Sequence, residues 1–502
     1  MRQFFLRWGA IAAATGAAAL ITAACSDSLH LDPDPVTPTG AGGGGGQVSV
    51  GVGGEDAGLP IACSSNSDCP APTAVCDTVK NECKQCLEIA DCAFRPGTVC
   101  SLGICACPVT GEEFCGASGG QPARCVDPLT SPTDCGSCGH VCFGACNAGS
   151  CADPWEPTSL VDAPASRARH VAVSTGTTMI VWGGDTPNGV TASGGIYNPG
   201  TRKWTPISTA NAPSARARAK AVWTGTVMLV FGGLDGSGAL NTGGRFDPAT
   251  NTWAPMAAGP GARYHHTAVW MEPEKKMIVW GGYNGAEYLN TGGVYDLVSD
   301  TWTLMPGDPD APAREDHAAV AGPPSTMLMY AGFGDDGMGG FTFLAGGAAF
   351  SLTTMDWVPL DPTGQPTARR RHAAAWDGTQ MLITGGFDGA SYWNDGGKYN
   401  PGQNSWSSLA PAPLEARQFH TAVWIDGTVK RMLLWGGEGP ALFGSGGIYD
   451  PAVNQWKIMP TAPAARAEHS AVVTGEKMII WGGNANGGVT NSGAIFDPAF
   501  TP

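Results

Sequence analysis

The sequence predicts an all-β chain built on an internal repeat, and three observations carry that prediction. Glycine supplies 73 of the 502 residues, which suits short strands joined by tight turns because glycine adopts the φ > 0 conformations that turns demand. Only 14% of residues are charged, against about 25% in an average soluble domain. The chain after residue 155 matches itself at a period of about fifty residues, in the range that marks propellers and solenoids. A formal net charge of −15 argues against nucleic acid as a partner, since that binding needs clustered Lys and Arg to neutralise phosphates. An anionic lipid surface is disfavoured for the same reason.

Cysteine divides the chain. One stands at Cys25, sixteen lie between Cys63 and Cys151, and none follows. Residues 1–24 carry Arg2 and Arg7, then an apolar run from Trp8 that ends in Ala23 and Ala24. This reads as a secretion signal, with an apolar stretch shorter than the roughly 20 residues of a spanning helix. Its junction resembles the lipobox of bacterial lipoproteins, with Thr22 where a leucine is usual. The resemblance implies acylation of Cys25 and, with it, an exported protein anchored at the outer membrane, cell surface or periplasm. Residues 25–62 run through Asp32-Pro33-Asp34-Pro35 and the five glycines from Gly42 to Gly46. Such a stretch buries no core and is expected to be a disordered tether.

Residues 63–151 form the third segment. Sixteen cysteines in an exported stretch with few large apolar residues predict a disulfide-rich module, cross-links standing in for a core. Cys83-x-x-Cys86 and Cys135-x-x-Cys138 have zinc-ligand spacing, but the neighbouring cysteines do not repeat as such pairs. Cys135-Gly136-Ser137-Cys138-Gly139 resembles the core of the cysteine-rich family named after stigma-specific plant proteins, which implies no activity. Disulfide connectivity stays open.

Residues 152–502 hold the repeat. One unit runs from Arg263 to Trp302: Arg-x-x-His, an apolar strand, a second apolar strand ending in Gly-Gly, a turn, a further Gly-Gly, an aromatic and a tryptophan. The first glycine pair recurs at Gly183, Gly232, Gly281, Ala331, Gly385, Gly436 and Gly482. The aromatic recurs at Tyr197, Phe246, Tyr295, Phe350, Tyr399, Tyr449 and Phe496, and in the first six units a tryptophan follows seven residues later. The last unit lacks its tryptophan, while Trp155 stands ahead of the first. A circular array in which the Trp155 strand completes the last unit accounts for both, and it removes the exposed edges of an open array.

This pattern resembles the kelch family, and the resemblance implies a seven-bladed β-propeller. The shorter tryptophan–aspartate repeat would carry Gly-His and Trp-Asp dipeptides instead. Residues 333–345 make the turn of the fourth unit about four residues longer than its equivalents, and Asp335 and Asp336 read there as an acid–glycine turn.

The histidines at His170, His266, His317, His372, His420 and His469 follow Arg167, Arg263, Arg314, Arg369, Arg417 and Arg466 by three residues, while Ala219 follows Arg216. A residue required once per unit is structural, so no metal site is expected there. Specificity belongs where the repeats differ. Between Arg and His lie two variable places, the first Ala168, Ala217, Tyr264, Glu315, Arg370, Gln418 and Ala467, the second Arg169, Arg218, His265, Asp316, Arg371, Phe419 and Glu468.

In kelch propellers the inner strand starts here, so the resemblance implies a channel rim at Tyr264, Arg169, Arg218, His265, Asp316, Arg370 and Arg371. Arginine forks of this kind suit an anionic sugar or a peptide acid. Tyr283, Tyr288, Phe387, Tyr392 and Trp393 in nearby loops are candidates for stacking on a sugar or a partner.

The expected function is non-catalytic binding of a protein or glycan, with no cofactor, no catalytic residues and membrane contact only through Cys25. The alternative is a secreted carbohydrate-active enzyme, epimerase-like or oxidase-like. Copper radical oxidases on this fold use a tyrosine joined to a cysteine, and no cysteine follows Cys151. Within residues 152–502 no Gly-x-Ser-x-Gly, phosphate-cradling loop or His-Glu-x-x-His is present.

Overall fold

The computed structural model describes residues 154–499 except 337, 339, 461 and 462, together with the backbone of eight short strands between Val75 and Cys151. The signal segment 1–24, the tether 25–62 with Cys25, and the cysteine side chains of 63–151 lie outside the described residues. The eight strands pair as four antiparallel hairpins, and in three of them a cysteine stands opposite a cysteine: Cys76 and Cys83, Cys100 and Cys105, Cys146 and Cys151.

From Trp155 onward every regular element among the described residues is a strand. The repeating unit is a four-stranded antiparallel sheet in sequential order, as in Thr267–Met271, Lys276–Trp280, Gly292–Asp296 and Thr301–Met305. Equivalent sheets start at Val171, Lys220, Ala318, Ala373, Thr421 and Ser470. The last takes its fourth strand from Trp155–Pro157, which pairs with Gly493–Phe496 and sets Trp155 opposite Phe496. First strands of consecutive sheets pack side by side, and that of the last packs on that of the first, so the sheets close into a ring.

The second strand of each sheet is buried on both faces. Met277, Ile278, Val279 and Trp280 are all inaccessible, and so the sequence there is continuously apolar rather than alternating. The fourth-strand tryptophan joins sheets. Trp357 packs on Phe350 of its own sheet at 5.2 Å and on Trp280 of the preceding one at 5.0 Å. Trp155 repeats the arrangement with Phe496 at 4.9 Å and Trp435 at 5.9 Å. Each such pair contributes about 0.5–1.5 kcal/mol beyond its buried area.

Gly281 shows why the glycine pair recurs. Its φ is +68°, and a Cβ would meet His317 Cε1 of the next sheet at 2.7 Å. The imidazole ring therefore packs directly against the backbone of Gly281 across the sheet boundary.

The fourth sheet departs from the expected long turn. Its strands Thr326–Asp335 and Phe341–Ser351 continue through most of 333–345 as an extended hairpin with a register shift between Tyr330 and Gly332. The β-forming residues Phe333, Phe341 and Phe343 explain the extension. Past the end of the first of these strands, Asp336 Oδ1 accepts from the Met338 and Gly340 amides, both at 2.8 Å.

Candidate functional site

The floor of the site rests on the repeated arginines, which clamp the frame and do not themselves line the cavity. Arg263 is fully buried and donates from Nε to Gly261 O at 2.9 Å and from Nη1 to Gly281 O at 3.0 Å and Thr291 O at 2.7 Å. Arg167, Arg216, Arg314, Arg369, Arg417 and Arg466 repeat the Nε bond to the carbonyl two residues back and the Nη1 bond to the first residue of the glycine pair. Burial pushes Arg263 down to about 10, which leaves it cationic at neutral pH.

The histidines are wedged between sheets. His317 Nε2 bonds Thr267 Oγ1 of the preceding sheet at 2.8 Å, His170 reaches Ser470 at 2.8 Å and His469 reaches Thr421 at 2.9 Å. Burial, with the neighbouring Arg adding to it, holds His170, His372 and His420 down to about 3 and His266, His317 and His469 well below the ordinary range. They are neutral wall material.

Above this floor the second variable places form a collar. Arg169, Arg218, His265, Asp316, Arg371, Phe419 and Glu468 all have φ between +53° and +57°, a region that costs an L-residue roughly 1–2 kcal/mol. Backbone bonds from sheet to sheet offset the strain. Arg218 N–H donates to Arg169 O at 2.9 Å, Asp316 to His265 O at 3.1 Å, Arg371 to Asp316 O at 3.1 Å and Phe419 to Arg371 O at 3.2 Å. Glu468 donates to Phe419 O at 3.3 Å and Arg169 to Glu468 O at 3.2 Å. Among the described residues, only the link from His265 to Arg218 lacks its bond. All seven of these side chains line one cavity of about 260 Å³ at the channel mouth.

Charge around the collar is largely paired. Arg169 meets Glu468 at 2.7 Å and Asp185 at 3.1 Å. Burial alone would lower its pKa, but the hydrogen bond and charge of Glu468 raise it above the ordinary value. Arg371 meets Asp316 at 2.9 Å and lies over Phe419 at 4.4 Å. Asp316 is half-buried, and this desolvation by itself raises a carboxyl pKa, yet His265 and Arg371 hold it below the ordinary range. His265 Nδ1 lies 2.9 Å from Glu315 and 3.5 Å from Asp316.

The remaining expected rim residues sit outside the cavity. The first variable place bridges to the residue after the glycine pair, as in Tyr264 with Tyr283 and Arg370 with Phe387. Here the rings meet each other: Tyr264 and Tyr283 at 5.7 Å, Tyr283 and Tyr288 at 5.0 Å, Phe387 and Tyr392 at 4.9 Å. Arg370 lies over Phe333 and Phe343 at 5.1 and 5.4 Å. Trp393 lies over the buried Arg369 at 5.4 Å and belongs to the scaffold. Arg169, Arg218, His265, Asp316 and Arg371 are thus brought together, while Tyr264, Arg370 and Tyr392 form an outer aromatic layer.

Sequence reasoning missed Lys220. It stands where other sheets carry Val171, Thr267, Ala318, Ala373, Thr421 and Ser470, and it lines the cavity. The signal was its place beside Ala219, the one break in the histidine series.

His265, Glu315 and Asp316 bring a His and two carboxylates within 4.8 Å, a donor set suited to a divalent cation. Their atoms already contact one another and Arg371, with Arg370 3.8 Å from Glu315, so a cation would have to displace an ion pair beside a second guanidinium. A larger depression of about 500 Å³ lined by Asn394, Leu414, Glu415 and Ile458 lacks convergent polar groups, because Glu415 is engaged by Arg417 at 2.7 Å.

In comparisons with known proteins, the family described as the KLHDC2/KLHL20/DRC7 Kelch-repeats domain matches residues 153–259 and 275–460, more than half of the chain. No curated protein matches.

Proposed function

The chain belongs to the kelch-repeat domain family, and from that premise we propose a seven-bladed β-propeller whose channel mouth binds a protein or glycan partner without catalysis. One observation carries this reading. The second variable place holds five residue types across the seven sheets, arginine in three of them, yet all its side chains line one cavity above a floor built from repeated residues. A scaffold that keeps its frame constant and varies only what faces one cavity has the organisation of a recognition surface. The secretion signal, Cys25 and the tether support a further part of the proposal, in which the propeller is exported, lipid-anchored and presented on a disulfide-rich stalk.

The test uses the full mature chain on a glycan array and in pull-downs from envelope extracts. A ligand competed away by substitutions in the collar is the expected result. Capture that ignores the collar overturns the reading, and turnover of a sugar panel replaces binding with catalysis. Mass spectrometry of the mature N-terminus reports acylation of Cys25 directly.

A further inference from the structure

The second sheet breaks the repeat at two successive positions, Ala219 and Lys220, directly after Arg218. Ala219 removes the imidazole that every other sheet inserts, and Gly183 of the preceding sheet correspondingly meets the carbonyl of Arg216 and no ring. Lys220 brings an amine to a place that is otherwise small or uncharged. The collar's missing backbone bond, from His265 to Arg218, falls at the same sheet boundary.

The cations here also differ from those around them. The repeated arginines are held by carbonyls, and Arg169, Arg370 and Arg371 each have a carboxylate within 4.0 Å. No hydrogen bond or ion pair within the described residues engages the Arg218 guanidinium or the Lys220 amine. Lys220 is exposed on the cavity that it lines, and the protein packed around its amine lowers its pKa by desolvation against an opposing pull from Asp316. His266 and His317 lie within electrostatic reach of the amine and are neutral. Two unpaired cations facing one small cavity constitute a site for an anion.

We propose that Arg218 and Lys220 form a carboxylate-binding site inside the channel mouth, taking the acid group of a sugar acid whose ring leans on Tyr264. This rests on the reading that the mouth takes a ligand, and it names that ligand's class. Two features select the class. Asp316, close enough to act on Lys220, opposes a dianion more than a monoanion. Tyr264 lies within electrostatic reach of Arg218 and begins the aromatic layer through Tyr283 and Tyr288. The cavity of about 260 Å³ falls just below the roughly 300–1,000 Å³ of pockets for drug-sized ligands, which suits one sugar acid.

Calorimetric titration of the full chain with sodium glucuronate, sodium acetate and glucose at constant ionic strength tests the site. Glucuronate binds, glucose does not, and Lys220→Met and Arg218→Gln each weaken glucuronate at least tenfold while the exposed Lys457→Met does not. Acetate bound as tightly as glucuronate supports the carboxylate site and assigns it to small free acids. Should the variants fold poorly, trace acetylation of the wild type followed by mass spectrometry replaces them, with glucuronate slowing acylation of Lys220. Failure of both acids to bind, equal binding by Lys220→Met, or an unprotected Lys220 overturns the proposal. The two readings separate cleanly: an array ligand unaffected by Lys220→Met leaves mouth binding standing and removes this site, whereas acid binding with no array or pull-down partner keeps this site and removes a protein or larger glycan as the ligand of the mouth.

Discussion

Arg167 and Arg169 stand two residues apart and illustrate the two regions of the molecule. Arg167 is fully buried, and Nη1 donates to the carbonyls of Gly183 at 2.9 Å and Ser193 at 2.7 Å. Its equivalents in the other sheets do the same, so the residue is a repeated clamp. Arg169 is about a third exposed and pairs with Glu468 and Asp185, a side-chain solution that Arg371 with Asp316 resembles and the other sheets do not repeat. A repeated frame fixes its side chains with backbone acceptors, which every unit supplies alike. A varied mouth must use side chains as acceptors, and each sheet then settles its charge differently.

Acidification should separate the two regions most strongly. The six repeated histidines are neutral in the fold and titrate near 6.5 when unfolded, so the unfolded state binds more protons as pH falls. Stability is complete above about pH 6.5 and is lost on the way down to about 3, the value to which burial holds His170, His372 and His420. Each such ring contributes about 1.4 kcal/mol per pH unit in that window. Thermal unfolding between pH 8 and 4 should show a plateau and then a steep fall, and His420→Gln should make the fall shallower. A midpoint that stays level to pH 4 would break the comparison.

Next in size is the clamp itself. Arg263→Ala orphans the carbonyls of Gly281 and Thr291, at about 1–3 kcal/mol for each unsatisfied buried group, and denaturant unfolding should register a loss of about 3–5 kcal/mol. Gly281→Ala follows. It places a Cβ 2.7 Å from His317 Cε1 at φ +68°, and a loss of roughly 2–4 kcal/mol is expected from strain and overpacking. Ala331 holds φ +58° at the matching place, so the same unfolding experiment on Ala331→Gly should show little change. The smallest effect belongs to the mouth. Arg371→Gln removes a partly exposed pair and should alter stability by under about 1 kcal/mol; a loss as large as that of Arg263→Ala would make the collar part of the frame.

Much of the fold was legible because the repeat encodes it locally. The continuous apolar run before each glycine pair announces a strand buried on both faces, and the surplus Trp155 announces closure onto Phe496. The hairpin at 333–345 was misread as a longer turn because its glycines mask the alternation of Phe333, Phe341 and Phe343. The collar was legible as a set of variable places. Which of its residues converge was not, because adjacent positions such as Tyr264 and His265 diverge at a residue with positive φ, and nothing in their identities signals that conformation.

The sequence by itself determined the all-β class, the repeat with its period, the structural standing of the histidines and the address of the variable places. These follow from periodicities that each unit satisfies with its own residues and its immediate neighbours. Only the tertiary structure decided which cations are engaged. Arg169 finds Glu468 almost three hundred residues away in sequence, and Asp316 claims Arg371 across a sheet boundary. Pairing of charges depends on distances that closure of the ring creates, and the same closure leaves Arg218 and Lys220 facing the cavity without a carboxylate of their own.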